Sequence, residues 1–382
     1  MSEGDPWQSV FSVLDEGVAQ GAFPGAVGLV WHAGATLYHE AHGMLATHPD
    51  ASVTGRAVER DTVYDLASLT KVLSTTTLIA QLVSEGRLTL EQPVPEPWSA
   101  ACPEATLIDL LEHCSGLAAH REYFTTVPPF DAERVLHHVA NTPIDYPPRS
   151  RAVYSDLGFM ILGAWIEREL DMPLMEAFAD RVAYRLGLDA GVVPQLGYRP
   201  LVSRAALGWK YERRIAPTEV YDASLHPDGV PSYFELRQSD GVAHGAVHDD
   251  NAFVMGGVAG HAGLFGTAEG VAEVAKAWAE DRVPDVRTEV RDRFWQSSHV
   301  PNSTRRLGFD GPSLDGTGTT GTSMSSAAAG HTGFTGTTVW IDPSSANGPR
   351  VAVLLTNRVH HGRDDRRIGD VRRAFHAAAV RL

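Results

Sequence analysis

The sequence predicts a mixed α/β domain with a mainly helical domain inserted into it. Three observations predict this. Runs with strand character stand near both ends, at 25–32 and 35–42 and again at 336–341 and 350–357. Between about Thr106 and Arg185 the apolar spacing is that of helices. Strands at both termini around a helical middle imply one domain built from both ends of the chain. The expected boundaries are 1–75 with 245–382 for the α/β domain, and 76–244 for the helical domain with its irregular loops.

Taken in order, Val10 to Gln20 reads as an amphipathic helix. Gly25–His32 and Ala35–His42 read as a hairpin turning at Ala33-Gly34. Thr62 to Leu66 is a short extended lead-in to a helix that carries Ser68 near its start. That helix directs Val72, Leu73, Leu78, Ile79 and Leu82 to the core and stops at Glu85-Gly86, where glycine suits the left-handed closing residue. Thr106–His113, Ala132–Asn141, Asp156–Leu170 and Leu174–Tyr184 follow as helices, with Pro143, Pro147 and Pro148 separating two of them. Gly187 to His244 is irregular and rich in Pro, Gly and aromatics. Gly256–Gly266 (GGVAGHAGLFG) lacks the Gly-Lys-Ser/Thr of a phosphate loop and reads as close backbone packing beside a site. Thr267 is expected to cap a helix to Glu280. A last helix runs from Ile368 to Ala379.

Composition narrows the function classes. The 382 residues, 43% hydrophobic and 21% charged, are those of an ordinary globular protein. A net charge of -15 opposes nucleic acid and anionic membranes as partners. No apolar stretch approaches a membrane span. The first residues, MSEGDPWQSVFSVLDEG, are acidic, broken by Pro6, and lack the pattern of a signal peptide, so a cytoplasmic location is expected. Cys102 and Cys114, the only cysteines, are expected as reduced thiols.

Three segments carry candidate chemistry. In Ser68-Leu69-Thr70-Lys71 a hydroxyl and an amine share one helix face. Serine needs a neighbouring base to act as a nucleophile, and a lysine serves if burial or other cations lower its pKa. Only Lys71, Lys210 and Lys276 are lysines, among 32 Lys and Arg residues, and arginine cannot serve as a base. The second segment is Tyr154-Ser155-Asp156 at a helix start. A phenol there relays protons if a cation such as Lys71 lowers its pKa, or else is a buried aromatic with Ser155 or Asp156 as helix cap. The third is Gly330-His331-Thr332-Gly333-Phe334-Thr335-Gly336-Thr337. Its small residues allow close approach to the following strand, and a backbone N–H there is able to pair with that of Ser68 as an oxyanion hole. Alone it also reads as a glycine-rich turn.

The order S-x-x-K, Tyr-x-Asp, His-Thr-Gly resembles the penicillin-recognising serine hydrolases: class C β-lactamases, low-molecular-weight penicillin-binding proteins and family VIII esterases. Phe23-Pro24-Gly25-Ala26 and Leu110-Leu111-Glu112-His113-Cys114-Ser115-Gly116-Leu117 resemble further segments of that family. The resemblance implies a β-lactamase/transpeptidase-like fold, an antiparallel sheet flanked by helices with an inserted all-helical domain. It implies Ser68 as acylated nucleophile, Lys71 and Tyr154 as base and proton relay, and the Ser68 and Phe334 amides as oxyanion hole. Asp156, His331, Thr332 and Gly333 would then bind substrate. No metal or organic cofactor is implied.

Two positions depart from the family. His331 stands where lactamases place lysine, which weakens the pull on a β-lactam carboxylate, and an acid limb near pH 6 is expected if its neutral form is needed. Asp156 stands where they place asparagine. A carboxylate only accepts, and beside Lys71 it favours the ammonium. Ile215–Glu219, Gly245–Ala252 through Phe265, and Leu355–His360 resemble a subgroup containing N-acetylmuramoyl-L-alanine amidases. The implied activity is hydrolysis of an amide or ester through an acyl-enzyme, on a small-molecule or muropeptide-like substrate, by a monomer or small homo-oligomer. A family VIII-type carboxylesterase or weak β-lactamase is the alternative, and a non-catalytic penicillin-binding-like module the remaining one. His244 and His248, four apart, lack the glutamate of a zinc-hydrolase helix and are expected to line the cleft or fix a loop. His113 is expected to make structural hydrogen bonds near the wall of the helical domain, and His261, His360 and His361 read as packed or surface residues.

Overall fold

The computed structural model describes residues 5–49, 51–189, 195–201, 213–220, 238–239, 241–313 and 315–382. Lys210 and most of the irregular stretch 187–244 lie outside the described residues. Helix α1 (Pro6–Ala19) begins earlier than expected. Pro6 does not break it but opens it: Asp5 caps the end by accepting from the Trp7 amide, and proline suits the first helical position. The hairpin β1 (Gly25–His32) and β2 (Ala35–Gly43) turns at Ala33 and Gly34, both at positive φ, as a two-residue hairpin turn requires.

After the short strand β3 (Tyr64–Asp65), the Ser68 segment enters a π-helical turn, Lys71–Thr76, before α2 (Thr77–Ser84). The expectation of one regular helix is corrected here. In this wider turn the Thr77 hydroxyl donates to the Val72 carbonyl five residues back, 3.1 Å away. Glu85 caps α2 and Gly86 follows at positive φ, as read from the sequence. The helical middle contains α3 (Leu107–Leu111), α4 (Ala132–Ala140), α5 (Asp156–Leu170) and α6 (Leu174–Phe178). The helix expected from 174 to 184 instead changes register: α6 continues as a π turn at Ala179–Ala183 and a tighter turn at Tyr184–Leu186.

Strand β4 (Leu196–Tyr198), a small hairpin of β5 (Gln238–Ser239) and β6 (Val242–Ala243), α7 (Asp250–Val254), β7 (Leu264–Gly266), α8 (Ala268–Ala279) and α9 (Thr288–Phe294) follow. The chain closes with β8 (Ala329–Thr332), β9 (Thr338–Asp342), β10 (Arg350–Thr356) and α10 (Ile368–Ala379). The main sheet is antiparallel, in the order β2-β1-β10-β9-β8, so the two ends of the chain meet at its centre.

Alternation along these strands divides two apolar layers. Ala26 and Val30 of β1, Trp340 of β9, and Ala352 and Leu354 of β10 pack with Val10, Leu14 and Phe375 of α1 and α10. Val27, Leu29, Val339, Ile341, Val351, Val353 and Leu355 face the main core, which holds Val271, Ala275 and Trp278 of α8 and continues into the helical middle. Strand β8 is the sheet edge, and it carries His331. Among the described residues no helix is long and apolar enough to cross a membrane.

The glycine-rich segment 256–266 packs backbone against backbone. A Cβ on Gly260 would stand 2.1 Å from the Phe159 carbonyl oxygen and 2.9 Å from the Gly163 amide nitrogen of α5. Neither obstacle is a flexible side chain. Gly260→Ala is therefore expected to force the segment off α5 and cost about 1–3 kcal/mol of stability, the range for overpacking, read as a lower midpoint in denaturant unfolding. An unchanged midpoint would show that the segment moves freely.

Candidate active site

The backbone ahead of Ser68 is held from three directions. The buried Asp65 carboxylate accepts from the Ala67 amide at 2.8 Å and the His248 amide at 2.6 Å. The Thr335 and Thr337 hydroxyls donate to the Asp65 and Leu66 carbonyls at 2.7 and 3.1 Å. Ala67 then turns at φ +47°, a left-handed conformation that a side chain rarely adopts, and Ser68 follows it into the helix. The turn after β8 closes on the same backbone. A Cβ on Gly333 would meet the Leu66 carbonyl at 2.5 Å, so only glycine fits there. Among the described residues neither the Ser68 nor the Phe334 amide donates a hydrogen bond, and both residues line the same cavity.

Lys71 is fully buried and its ammonium is saturated. Nζ donates to Ser68 Oγ at 3.0 Å, to Asp156 Oδ1 at 2.8 Å and to the His261 carbonyl at 3.2 Å. The last contact comes from the glycine-rich segment, whose Gly260 carbonyl also accepts from Thr75 at 2.6 Å. Asp156 reaches Lys71 from the first turn of α5. Ser155 caps that helix, accepting from the Gly158 amide, and its own hydroxyl donates to the Ala118 carbonyl at 2.6 Å. His113, at φ +57°, accepts the Ser155 amide on Nδ1 at 3.0 Å, and its ring lies tilted against that of Tyr154 at 4.8 Å between centroids. The structural hydrogen bond expected of His113 is this one to the Ser155 amide.

The electrostatics differ from the simplest expectation. Burial by itself lowers the Lys71 pKa, but Asp156 and the Tyr154 phenol outweigh it and the net shift is upward. Asp156 is likewise penalised by burial, yet Lys71, with His120 in support, holds it well below the usual carboxylate range. The resting pair is an ammonium and a carboxylate. The Tyr154 phenol is not lowered by its cation: burial raises its pKa, Lys71 only partly offsets this, and Asp156 adds to the rise. It rests as the neutral phenol. The Lys71 ammonium lies 4.8 Å from its ring centroid.

His331 is buried on β8. Its Nδ1 lies 2.8 Å from the Thr332 carbonyl, so that nitrogen bears the proton, and Nε2 makes no hydrogen bond among the described residues. Burial first, then Lys71 and Arg305, push its pKa down to about 3.

Two cavities meet at Ser68, Tyr154 and Phe334. The larger, about 470 Å³, runs along His331, Thr332 and Gly333 toward Arg305, Arg358 and Arg372. The smaller, about 270 Å³, is walled by Asp156, His120, His248, Asp249, Asp250 and Arg363. The structure thus brings together Ser68, Lys71, Tyr154, Asp156, His331, Thr332, Gly333 and Phe334. Sequence reasoning missed Arg305, whose guanidinium lies 5.3 Å from the Tyr154 ring centroid, and His120, 3.4 Å from Asp156 Oδ2. Neither sits in a motif, and no spacing signalled them. His244 bonds the Ile215 carbonyl and His248 bonds Glu219 at 3.1 Å. Among the described residues no group of three metal-ligating side chains occurs.

The acid limb expected from His331 near pH 6 is corrected by its surroundings. It gains a proton only near pH 3 and stays neutral above about pH 4. Between pH 5 and 8, His331→Gln is expected to leave the shape of the kcat/KM–pH profile unchanged, whatever it does to the height. A limb in that window that vanishes in the variant would contradict this.

Similarity to known proteins agrees with this geometry. The β-lactamase family profile matches residues 10–377. An Escherichia coli (strain K12) protein, named provisionally as a D-alanyl-D-alanine carboxypeptidase, is 30% identical over 394 residues, 94% of this chain and 86% of that one. The Bacillus subtilis (strain 168) N-acetylmuramyl-L-alanine amidase is 29% identical over 377 residues, 92% of this chain and 81% of its own. In three dimensions, a penicillin-binding protein homologue from Caulobacter crescentus superposes with a TM-score of 0.69 at 20% identity, covering 98% of this chain and 97% of that one. An antiparallel sheet joined from both termini, a Ser-x-x-Lys start to a buried helix and a profile match over nearly the whole length carry one conclusion: this chain belongs to the β-lactamase family of serine hydrolases.

Proposed function

We propose that the protein cleaves an amide bond by two-step acyl transfer through Ser68, on a peptide-like substrate of the kind muropeptides supply. The observation that carries this is the Lys71 Nζ to Ser68 Oγ contact of 3.0 Å at the junction of two cavities. The amidase and carboxypeptidase names of its relatives support an amide over an ester. Neutral His331 in place of lysine and Asp156 in place of asparagine both oppose efficient β-lactam hydrolysis.

The steps follow from the groups present. Ser68 Oγ attacks the carbonyl carbon as its proton passes to the Lys71 amine or through Tyr154. The Ser68 and Phe334 amides receive the oxyanion, before any water must reorganise. Collapse breaks the scissile bond, and the leaving nitrogen takes the proton back. Water then attacks the acyl-enzyme, giving up its proton to the same base, and the serine returns.

Lys71 accepts a proton only after losing one, and Asp156 resists that loss. With the Lys71 pKa raised, the basic form grows tenfold per pH unit below that pKa, so kcat/KM is expected to climb from neutral toward alkaline pH. Asp156→Asn removes the chief influence raising the lysine pKa. The rising limb should therefore move to lower pH, seen in pre-steady-state acylation against pH. A limb that stays in place would separate Lys71 from the proton transfer. Intact-mass spectrometry after incubation with a muramoyl-peptide, a p-nitrophenyl ester and a penicillin tests the nucleophile. Ser68→Ala should lose turnover on the order of 10³-fold or more. Near-normal turnover in that variant would overturn the assignment.

A further inference from the structure

The turn between β8 and β9 carries the Phe334 amide, and two sets of side chains hold its backbone. The Thr335 and Thr337 hydroxyls tie it to the Asp65 and Leu66 carbonyls ahead of Ser68. Two arginines hold its own carbonyls. Arg358 donates from Nε to the Phe334 carbonyl at 2.8 Å and from its amide to the Thr335 carbonyl at 2.9 Å. Arg372, on α10, donates from Nη2 to the Gly333 carbonyl at 2.7 Å and to the Thr337 carbonyl at 2.8 Å. One guanidinium nitrogen thus joins the two ends of the turn.

The Gly333 carbonyl matters most. It belongs to the same peptide unit as the Phe334 N–H. That unit is trans, so its C=O and N–H point in opposite directions. Whatever holds the carbonyl therefore aims the N–H. The Gly336 amide also donates to it, at 3.0 Å, but that bond is neutral. The Arg372 bond is shorter and charge-assisted, which makes it the stronger of the two. The placement of this arginine is otherwise unexplained. Desolvation and the Arg358 charge lower its pKa to about 9, and no carboxylate among the described residues offsets them. A cation drawn from water without a counter-charge is a cost to the fold. Its hydrogen bonds among the described residues go only to this turn.

We propose that Arg372 is a positioning residue for the oxyanion hole: its bond to the Gly333 carbonyl aims and polarises the peptide whose N–H, at Phe334, receives the oxyanion. This rests on the serine acyl-transfer reading above. The cation acts through the peptide and does not touch the reacting atoms. A hydrogen bond on the carbonyl side strengthens the N–H on the other side as a donor. Because the clamp is in place before the substrate arrives, the donor need not reorganise during the reaction.

The test uses Arg372→Met, which keeps an unbranched helix-forming side chain and removes every donor. The substrate is p-nitrophenyl butanoate, whose lack of charge separates this role from direct binding of a substrate anion by Arg372, which also lines the larger cavity. Labelling to completion with a fluorophosphonate counts competent sites, so unfolded enzyme drops out. The kcat/KM per site is expected to fall about 10- to 100-fold, less than the roughly 10²–10³ lost with an oxyanion-hole donor itself. The second readout is the Ki of phenylboronic acid. Ser68 Oγ bonds its boron as the serine proton passes to the base of the site, and the tetrahedral adduct places an oxygen where the oxyanion forms. Its Ki should rise by a factor close to the loss in kcat/KM, because both report the same hole. If the methionine variant does not fold, Arg372→Gln, too short and uncharged, takes its place with the same two readouts. An unchanged kcat/KM per site, or a loss with no change in Ki, would overturn the proposal. Failure of the underlying reading looks different: hydrolysis of the ester would persist in Ser68→Ala.

Discussion

One buried ammonium organises this active site. Lys71 has three N–H bonds and three acceptors, namely the Ser68 hydroxyl, the Asp156 carboxylate and the His261 carbonyl. Each comes from a different part of the chain, so forming the ion pair also docks α5 and the glycine-rich segment onto the helix that carries Ser68. Removing one member of a buried pair strands the other, at about 3–5 kcal/mol. The same saturation creates the chemical problem of the site, because an ammonium that donates to serine cannot also accept its proton.

The surrounding scaffold explains how a charge is tolerated there. Around Lys71 the backbones approach more closely than side chains would permit. Gly260 lies against the Phe159 carbonyl, and Gly333 lies against Leu66. These contacts exclude solvent and aim carbonyls and hydroxyls at the few polar groups that need them, as Thr75, Thr335 and Thr337 do. The low dielectric that results keeps His331 and Tyr154 neutral while the paired Asp156 and Lys71 stay charged. Burial is common to all four. Asp156 and Lys71 hold each other charged by direct pairing, whereas Lys71 only partly offsets the burial of Tyr154 and adds to the burial that lowers His331.

The family's usual lysine and asparagine would place a cation on the edge strand and a neutral amide beside Lys71. In this chain His331 is neutral, and positive charge comes instead from Arg305, Arg358 and Arg372 across the larger cavity. The anionic side lies in the smaller cavity. The polarity of the cleft is therefore set by residues scattered over several elements, and the two motif substitutions gain their meaning only in that setting.

The residues proposed to do the chemistry could be named from the sequence because each lies in a local pattern. Ser68 and Lys71 share a helix face, Tyr154 and Asp156 open α5, and His331 to Phe334 leave a strand through small residues. Strand alternation and helix stops such as Glu85-Gly86 were equally local. Three kinds of feature needed the tertiary structure. The π turn at Lys71–Thr76 is bound up with how its buried residues pack. Arg305 and His120 reach the site by chain crossings that no spacing encodes. The protonation states follow from desolvation and from neighbours distant in sequence: Asp156 is 85 positions from Lys71. Residue type and spacing determined by themselves which groups are available. Only the fold decided which of them are charged, because charge depends on the distance to partners that folding brings together.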